Sequence, residues 1–264
     1  MLRVLTLNLW NLSGDWRARR EEIVLWLRRL EPDVVCLQEV IDDGDRNTAR
    51  WLAERTGYSG CAFGGAAIEG GNGARFGNAV LSRSAIDHEA THLLPSGDPR
   101  PEPIDRLVLH ARTSGLDVFC THLTSLYPYG NLREQQVLRL DEVVREHADP
   151  EASLPPILAG DFNADPESDE IRFLCGNASI DGRSTYYQEA WRVAGGREAG
   201  ITWSNDNPFA AAEHEPERRI DYVFVGWRRP DGRGTITACS VVCDRPLTGV
   251  HPTDHYGVLA DIAT

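Results

Sequence analysis

Short apolar segments with the length and composition of β-strands make up most of this chain. The segments are Leu2–Leu9, Val34–Gln38, Tyr58–Phe63, Asn78–Ser82, Arg106–Ala111, Asp117–His122, Pro156–Ala159, Ile220–Val225, Thr235–Val242 and Gly257–Ile262. The helical patterns are Trp16–Leu30, Arg46–Thr56, Leu132–His147, Glu167–Leu174 and a weaker one over Tyr186–Ala194. Because several successive strands have no helix between them, a wholly parallel, doubly wound sheet is disfavoured. We therefore predict an α/β fold in which two packed sheets are flanked by helices.

The length and composition of the chain indicate one large domain over residues 1–264. Of the 264 residues, 41% are hydrophobic and 25% are charged, which is ordinary for a globular protein with a well-buried core. No stretch has the apolar length that is needed to span a bilayer. We take a monomer as the default expectation.

The first residues and the cysteines predict the compartment. Met1–Trp10 alternates like a strand and lacks the basic start, apolar core and cleavage site of a signal peptide. The six cysteines include no C-x-x-C pair, and Cys36 and Cys120 lie inside apolar runs. Buried free thiols and a cytoplasmic location are therefore expected.

The formal net charge of −13 limits the possible partners. A protein that coats nucleic acid needs a basic face, so this function is disfavoured, whereas a nuclease with a local basic cleft is compatible with the charge. All 27 basic residues are arginine. We attribute this bias to genome base composition rather than to phosphate recognition.

The stretch from Pro156 to Asp165 combines a buried-strand pattern with polar residues. The apolar run Ile157–Ala159 stops at Gly160, and Asp161 and Asn163 follow. In extended backbone these two side chains would point the same way. A carboxylate can accept a proton or bind a metal, and an amide can donate to an anionic oxygen. A simple turn is the alternative, because all three residue types favour turns.

Polar residues also mark the ends of other apolar runs. They are Asn8, Glu39, His122, Asp221 and the pair Asp254–His255. Each has an ordinary structural explanation: His122 could be a core residue, and Asp221 could pair with Arg219. Together they form the set of side chains that a hard divalent cation and acid–base chemistry require.

The motifs around these residues resemble those of the endonuclease/exonuclease/phosphatase superfamily, and they occur in the same order. They are Thr6–Trp10, Gln38–Val40, Thr121–Leu123, Gly160–Asn163, Arg219–Tyr222 and Thr253–His255. The resemblance extends over residues 4–262. It implies a four-layer α-β-β-α sandwich, in which two facing mixed or antiparallel sheets are flanked by helices. It also implies a metal-dependent hydrolase that acts on phosphate esters.

The resemblance implies a metal site with three residues. Glu39 would be the principal Mg²⁺ ligand, Asn8 would assist it, and Asp254 would lie near the metal or reach it through water. Mg²⁺ suits oxygen ligands and keeps several of its waters, and Mn²⁺ is the alternative ion.

The resemblance also implies catalytic roles. Asp161 would orient or deprotonate the attacking water, and Asn163 would bind a phosphate oxygen. His255 would contact the scissile phosphate, with its tautomer fixed by Asp221, and His122 would be a second donor to the phosphate. Whether Asp161 or His255 is the base is left open, because coupled groups need not titrate separately.

Four further residues are candidates for substrate contact. They are Asn78, Arg133, Trp203 and Asn207. Arg133 could touch phosphate or lie on a solvated helix face. Trp203 could stack on a substrate group or belong to the core.

Three functions remain open at this stage. A phosphoesterase acting on a small or medium phosphorylated molecule is favoured over a nuclease, because the chain is acidic and contains no lysine. A basic groove lined by Arg75, Arg83, Arg100 and Arg133 would support the nuclease. A non-catalytic binding protein on the same fold is disfavoured, because no expected ligand or histidine is missing.

Overall fold

Twelve strands and six helices form the protein, described here for residues 1–264 by a computed structural model. The strands are β1 (Leu2–Asn8), β2 (Val34–Asp42), β3 (Gly60–Ala67), β4 (Arg75–Ser82), β5 (Ile86–Leu93), β6 (Leu107–Thr113), β7 (Leu116–His122), β8 (Ile157–Asp161), β9 (Gln188–Glu189), β10 (Asp221–Val225), β11 (Ile236–Val242) and β12 (Gly257–Ile262). The helices are α1 (Trp16–Leu30), α2 (Thr48–Thr56), α3 (Gly130–His147), α4 (Asp169–Leu174), α5 (Ala190–Ala194) and α6 (Pro208–Ala211).

The strands form two six-stranded sheets with the same pattern of strand directions. The first sheet has the order β11-β12-β1-β2-β4-β3, and the second has the order β5-β6-β7-β8-β10-β9. Each sheet is antiparallel except for one parallel pair, which is β1–β2 in the first and β7–β8 in the second. The prediction of two mixed sheets flanked by helices is confirmed.

Three apolar layers hold the structure together. Inward-facing residues of both sheets, such as Val80 and Val118, form the central layer. The other face of the first sheet packs on α1 and α2 through residues such as Leu52, and the other face of the second packs on α3 and α4 through residues such as Val137 and Phe173. The result is the four-layer arrangement of helices, sheet, sheet and helices.

Most predicted elements are present, and the differences have local causes. The first helix and the last strand begin and end where the sequence predicts. Strand β5 was not predicted, because Ile86–Leu93 is a mostly exposed edge strand with little apolar patterning. The weak helical pattern at Tyr186–Ala194 divides into the short strand β9 and helix α5. Strand β2 runs beyond Gln38 to Asp42 through a bulge.

The register of the central strands brings their polar ends together. Asn8 pairs with Gln38, which precedes Glu39, in the first sheet. In the second sheet, Asp161 lies between His122 on β7 and Asp221 on β10. A side chain at Gly160 would overlap with the carbonyl group of Thr121. Only glycine therefore permits the close approach that places Asp161 beside His122.

The state of the cysteines and the character of the helices were both expected from the sequence. All six cysteines are free, as predicted, and four of them are buried. No helix combines the length and the apolar character that crossing a membrane would demand.

Candidate active site

Glu39 projects from a bulge in β2. The pairing of β2 with β4 shifts between Leu37 and Val40, and Glu39 has a φ of 57°. Left-handed backbone is unfavourable for a residue with a side chain, and such strain is concentrated at functional sites. The Glu39 carboxylate accepts bonds from Nδ2 of Asn8 at 3.4 Å and from Nδ2 of Asn11 at 2.9 Å. The bulge therefore holds this carboxylate in a defined position at the end of the sheet.

Asn8 connects the two sheets. Its Nδ2 atom donates to Oδ2 of Asp161 at 3.0 Å as well as to Glu39, and its Oδ1 atom accepts from the backbone N–H of Trp10 at 2.9 Å. One buried amide nitrogen thus bridges carboxylates from opposite sheets. The structure brings Asn8, Glu39 and Asp161 together, as the sequence predicted.

His255 and Asp221 form a buried pair opposite Asp161. Nδ1 of His255 donates to Oδ2 of Asp221 at 2.9 Å, and Nε2 of His255 lies 3.8 Å from Oδ2 of Asp161. Burial lowers the pKa of His255, but the charges of Asp221 and Asp161 outweigh it and hold the pKa well above its ordinary value. Oδ1 of Asp221 is buried and has no hydrogen-bond partner. The pair can therefore present a positively charged N–H donor at Nε2.

His122 reaches the same carboxylate from the neighbouring strand. Its Nε2 atom lies 3.4 Å from Oδ2 of Asp161, and its Nδ1 atom is buried without a partner. Burial, assisted by the charges of Arg106 and His255, lowers the pKa of His122 well below its ordinary value. His122 is therefore a neutral donor, in contrast to the protonated His255.

Buried acids give the site an excess of negative charge. Burial and the charge of Asp221 raise the pKa of Asp161 to about 7. Burial raises the pKa of Asp254 to about 7, with a further contribution from Glu39. Arg19 lies near Asp254 and Glu39, and burial lowers its own pKa to about 10. This region would be stabilised by an added cation.

The turn before β12 is fixed by Thr253. Its hydroxyl donates to the carbonyl oxygen of Asn8 at 2.8 Å and to Oδ1 of Asp254 at 3.0 Å. Asn207, a predicted substrate residue, donates through Nδ2 to the carbonyl oxygen of Thr253 at 2.8 Å. Asn207 is fully buried, so it positions this turn and the following His255 rather than presenting a surface to substrate.

The donor set fits a hard divalent cation. The tightest group of possible ligand atoms belongs to Asp161, Asp221 and His255, whose atoms all lie within 4.8 Å of one another. Within that group, Asp221 and His255 are bonded to each other, which leaves Asp161 with Glu39 and Asp254 as the available carboxylates. Oxygen-rich sites with several carboxylates suit Mg²⁺ and Mn²⁺. The unpartnered oxygen of Asp221 and the raised pKa values of Asp161 and Asp254 show that these residues fit a divalent cation.

Asn163 lies at the site, but its backbone differs from the prediction. It has a φ of 49°, and its N–H donates to Oδ1 of Asp161 at 2.9 Å. Its Nδ2 atom donates to the carbonyl oxygen of Leu123 at 3.1 Å. The expectation that Asp161 and Asn163 point the same way from extended backbone is therefore wrong. The turn and the strand end, which the sequence left as alternatives, both occur here.

Three of the four candidate substrate residues have structural partners. Asn78 donates to the carbonyl oxygens of Leu107 and Cys120 and so ties the two sheets together. Arg133 forms a buried ion pair with Glu170 at 2.7 Å, so the alternative of a solvated helix face is wrong, and contact with phosphate stays a prediction. Asn207 holds the Thr253 turn, as described above.

Trp203 is the fourth of these candidates. It packs edge-on against His255, with ring centroids 5.0 Å apart, and is largely buried. Its Nε1 atom has no hydrogen-bond partner. The core placement is therefore the one seen, and stacking on a substrate group stays a prediction.

The sequence analysis missed two residues that shape the site. Asn11 binds Glu39, and the only sequence signal is its place three residues after Asn8. Arg19 is fully buried and donates to five carbonyl groups, which belong to Leu9, Trp10, Asn11, Ser13 and Pro252. It thereby joins the loop after β1 to the turn before β12. The sequence signal for Arg19 is that an arginine stands on the apolar side of α1.

The four arginines that would support a nuclease by lining a basic groove each contact another group of the protein. Arg83 donates to the carbonyl oxygens of Pro32 and Thr56, and Arg75 to that of Gly65; Arg100 pairs with Asp105 at 3.3 Å.

A groove of about 280 Å³ lies instead between the N-terminal ends of α1 and α2. Its lining combines four arginines and two tryptophans with three acids, which are Arg17, Arg20, Arg46, Arg50, Trp16, Trp51, Asp43, Asp45 and Glu54, and it also includes Ile41. Arg20 stacks on Trp51, with its guanidinium carbon 4.3 Å from the ring centroid. Ile41 is two residues from Glu39, so this Arg–Trp groove begins beside the site.

Comparisons with known proteins agree with the fold and the motifs. The model of the Endonuclease/Exonuclease/phosphatase family matches residues 5–255. Among curated proteins, Protein angel from Drosophila melanogaster is 26% identical over 191 residues. This match covers 63% of the chain and 49% of Protein angel, so the chain corresponds to about half of that relative.

Solved structures give the same result. An endonuclease/exonuclease/phosphatase from Beutenbergia cavernae DSM 12333 superposes with a TM-score of 0.71 at 25% identity, covering 99% of this chain and 71% of that one. TDP2 from D. rerio, solved in complex with a single-strand DNA product, superposes with a TM-score of 0.73 at 21% identity. That match covers 100% of this chain and 99% of the other, and it shows a shared fold.

Proposed function

The chain belongs to the endonuclease/exonuclease/phosphatase family, and we propose that it is a divalent-metal-dependent hydrolase of phosphate esters. The observation that supports this most strongly is the meeting of Asn8 and Glu39 from one sheet with His122, Asp161 and the Asp221–His255 pair. Asn8 donates to both Glu39 and Asp161, and the Nε2 atoms of His122 and His255 lie 3.4 Å and 3.8 Å from Oδ2 of Asp161.

The carboxylates at the strand ends would hold the metal. We assign Glu39 and Asp254 as ligands, with Asn8 in support, and Mg²⁺ as the ion, with Mn²⁺ as the alternative. A bound ion of this kind neutralises charge that builds on the phosphate oxygens. The amides of Asn8 and Asn11 would keep the Glu39 carboxylate in place.

The remaining groups would carry out positioning and proton transfer. Asp161 accepts bonds from Asn8 and from the N–H of Asn163, and one of its oxygens would orient the water that attacks phosphorus in line. His255, held by Asp221, would donate through Nε2 to a phosphate oxygen. His122 would add a neutral donor, and a buried donor stabilises developing negative charge more strongly than an exposed one.

A small or medium phosphorylated substrate is our first proposal. The net charge of −13 disfavours long anionic partners, and the four arginines that could have formed a basic groove are engaged elsewhere. A nuclease is the second candidate, because the Arg–Trp groove combines cationic and aromatic side chains, as single-strand binding requires. Arg17, Arg46 and Arg50 are exposed there.

The remaining properties are also proposals. The free cysteines support a cytoplasmic location, and we propose that residues 1–264 act as one catalytic domain and as a monomer.

Hydrolysis of aryl phosphate esters tests the proposed chemistry. We expect Mg²⁺-dependent release of nitrophenol from a nitrophenyl phosphodiester or monoester. His255→Gln should lower kcat about 10³-fold, and Glu39→Gln should remove the metal-dependent rate. His214→Gln is the matched control, because His214 is exposed and remote from these contacts. If wild type shows no activity with any divalent metal yet retains its fold, the enzyme proposal is wrong.

A second experiment separates the two substrate classes. Single-stranded DNA and RNA oligonucleotides are compared with aryl phosphates for wild type and for the triple variant Arg17→Gln, Arg46→Gln, Arg50→Gln. A nuclease should lose oligonucleotide cleavage selectively, with a weaker dependence on salt. An enzyme for small substrates should cleave oligonucleotides poorly, and the triple variant should behave like wild type.

A further inference from the structure

Three arginines from separate elements line one cavity at the β9 edge of the second sheet. The cavity has a volume of about 480 Å³ and lies between α4, α5 and the segment before β10. Its charged lining residues are Arg172, Arg192, Arg219, Glu167 and Glu189. We call it the arginine cavity. None of its lining residues belongs to the site around Asp161, so the proposed hydrolysis gives it no role.

Arg219 is the buried member of the three, with 9% of the residue exposed. Its Nη1 atom lies 2.8 Å from Oε2 of Glu189, but neither Nη1 nor Nε makes a hydrogen bond. The guanidinium is held in place by the ring of Tyr222, whose centroid lies 5.3 Å from the guanidinium carbon. Buried donors without an acceptor are costly, so an acceptor that enters the cavity would relieve this cost.

Glu189 is only a partial partner for Arg219. Its two carboxylate oxygens also accept bonds from the backbone N–H groups of Trp191 at 2.8 Å and Arg192 at 2.9 Å, which begin α5. Oε2 is therefore shared between the N–H of Arg192 and the guanidinium of Arg219. One buried carboxylate thus balances the charge of Arg219 without occupying its hydrogen-bond donors.

Arg172 and Arg192 are exposed and can turn toward a ligand. Arg172 pairs with Asp169 at 2.7 Å, but both side chains are exposed, and an exposed pair of this kind contributes little stability. Arg192 forms no ion pair. The cavity lining carries three positive and two negative side chains, so it is a locally positive site in a chain whose net charge is −13. Such a site favours an anion.

We propose that the arginine cavity binds a phosphate group, either as inorganic phosphate or as part of a small phosphorylated molecule. Guanidinium groups present paired N–H donors that match two oxygens of a phosphate, and Arg219 is already fixed for this contact. The volume of the cavity lies within the range of about 300–1,000 Å³ that is typical of small-molecule sites, so it has room for more than the phosphate. This site is independent of the proposed hydrolysis.

Calorimetric titration of the full chain with inorganic phosphate tests this site. Because the site around Asp161 could bind phosphate as well, the parent protein carries Glu39→Gln and His255→Gln, and the buffer contains no divalent metal. We expect the parent to bind one phosphate saturably. Adding Arg172→Gln and Arg192→Gln should weaken binding at least about tenfold, because charge-assisted hydrogen bonds are lost. Adding Arg219→Lys instead keeps the charge but removes the paired donors, and it should also weaken binding.

A matched control carries Arg197→Gln and Arg245→Gln in the same parent. These arginines are exposed and lie outside the cavity; Arg197 is unpaired like Arg192, and Arg245 pairs with Asp244 at 3.1 Å, as Arg172 pairs with Asp169. The control should bind phosphate as the parent does at equal ionic strength. An equal loss of affinity in the control and in the cavity variant would mean that net charge, and not the cavity, attracts the anion.

A second titration, with ribose 5-phosphate, distinguishes the two sources of the phosphate group. Tighter binding than that of inorganic phosphate identifies a phosphorylated molecule as the ligand, and equal or weaker binding identifies free phosphate. If the cavity variant fails to fold by circular dichroism, the single change Arg192→Gln replaces it. A parent that binds neither compound, or a folded cavity variant that binds as tightly as the parent, would overturn the proposal.

Discussion

Asp141 and Asp221 are buried to the same extent, with 1% of each residue exposed, yet their surroundings are opposite. Asp141, on α3, accepts bonds from Arg145 at 2.7 Å, Thr185 at 2.6 Å and Tyr187 at 2.9 Å. Asp221 accepts one side-chain bond, from His255, and its second carboxylate oxygen has no partner. A buried carboxylate whose two oxygens both accept hydrogen bonds stabilises the fold. A buried carboxylate with an oxygen that accepts none marks a place where chemistry can occur.

The same contrast holds for another pair of acids. Glu22, on α1, accepts bonds from the Thr248 hydroxyl and from the N–H groups of Leu247, Thr248 and Gly249, which outweigh the effect of burial and lower its pKa. Near Asp221, burial instead raises the pKa of Asp161 to about 7. The number of hydrogen-bond donors around a carboxylate, rather than its burial alone, therefore distinguishes structural acids from candidate catalytic ones.

Replacing Asp221 or Asp141 by asparagine should give the largest difference between a catalytic and a structural acid. Asp221→Asn should lower kcat about 10²–10⁴-fold, because His255 loses the acceptor that fixes its tautomer. Asp141→Asn should leave kcat per folded molecule unchanged and lower the free energy of unfolding by about 1–3 kcal/mol, because the hydroxyls of Thr185 and Tyr187 lose a charged acceptor. Steady-state kinetics and urea unfolding measure both quantities for each variant. Equal losses of kcat in the two variants would contradict the distinction.

Asn11 allows a smaller test on the metal side. Asn11→Gly removes the amide that binds Glu39 but tolerates the left-handed backbone, whose φ is 41°. Because groups behind a metal ligand tune its binding, the Mg²⁺ concentration for half-maximal rate should rise about 10–100-fold.

Asn72→Gly is the matched control for Asn11. Asn72 also has left-handed backbone, with a φ of 50°, but it lies exposed in the loop before β4. Its Mg²⁺ requirement should equal that of wild type. A shift of similar size in both variants would mean that loop flexibility, and not the Asn11–Glu39 bond, controls the metal.

The smallest expected effect concerns a structural acid, Asp117, and the stability of the folded protein at low pH. Burial raises the pKa of Asp117, but bonds from His110, Arg112 and the N–H of Asp149 outweigh it and lower the pKa to about 2. A depressed folded-state pKa contributes stability above the unfolded value, and this contribution is lost as the pH falls toward 2. The difference in urea midpoint between wild type and Asp117→Asn should therefore shrink between about pH 4 and pH 2. A constant difference would contradict this.

The sequence predicted the sheets and the strand-end residues for one physical reason. Polar groups such as Glu39, His122 and Asp161 directly end apolar strands, and strand order brings such ends together. The sequence did not predict the partners, because they are distant along the chain: Arg133 pairs with Glu170, and Asn11 binds Glu39 across a bulge.

Local backbone conformation is the other feature that the sequence did not predict correctly. Asn163 adopts left-handed backbone, which its turn propensity permits but does not require. Strand β5 was missed because an exposed edge strand needs no apolar alternation.

Hydrolysis of a phosphodiester in ¹⁸O-labelled water tests the central claim most directly. If water attacks phosphorus at the site around Asp161, wild type with Mg²⁺ should place one ¹⁸O atom in the phosphate product per bond cleaved. Glu39→Gln, or wild type with excess chelator, should give no product above background. Label in the alcohol product, or labelled phosphate formed equally well by Glu39→Gln, would contradict the account.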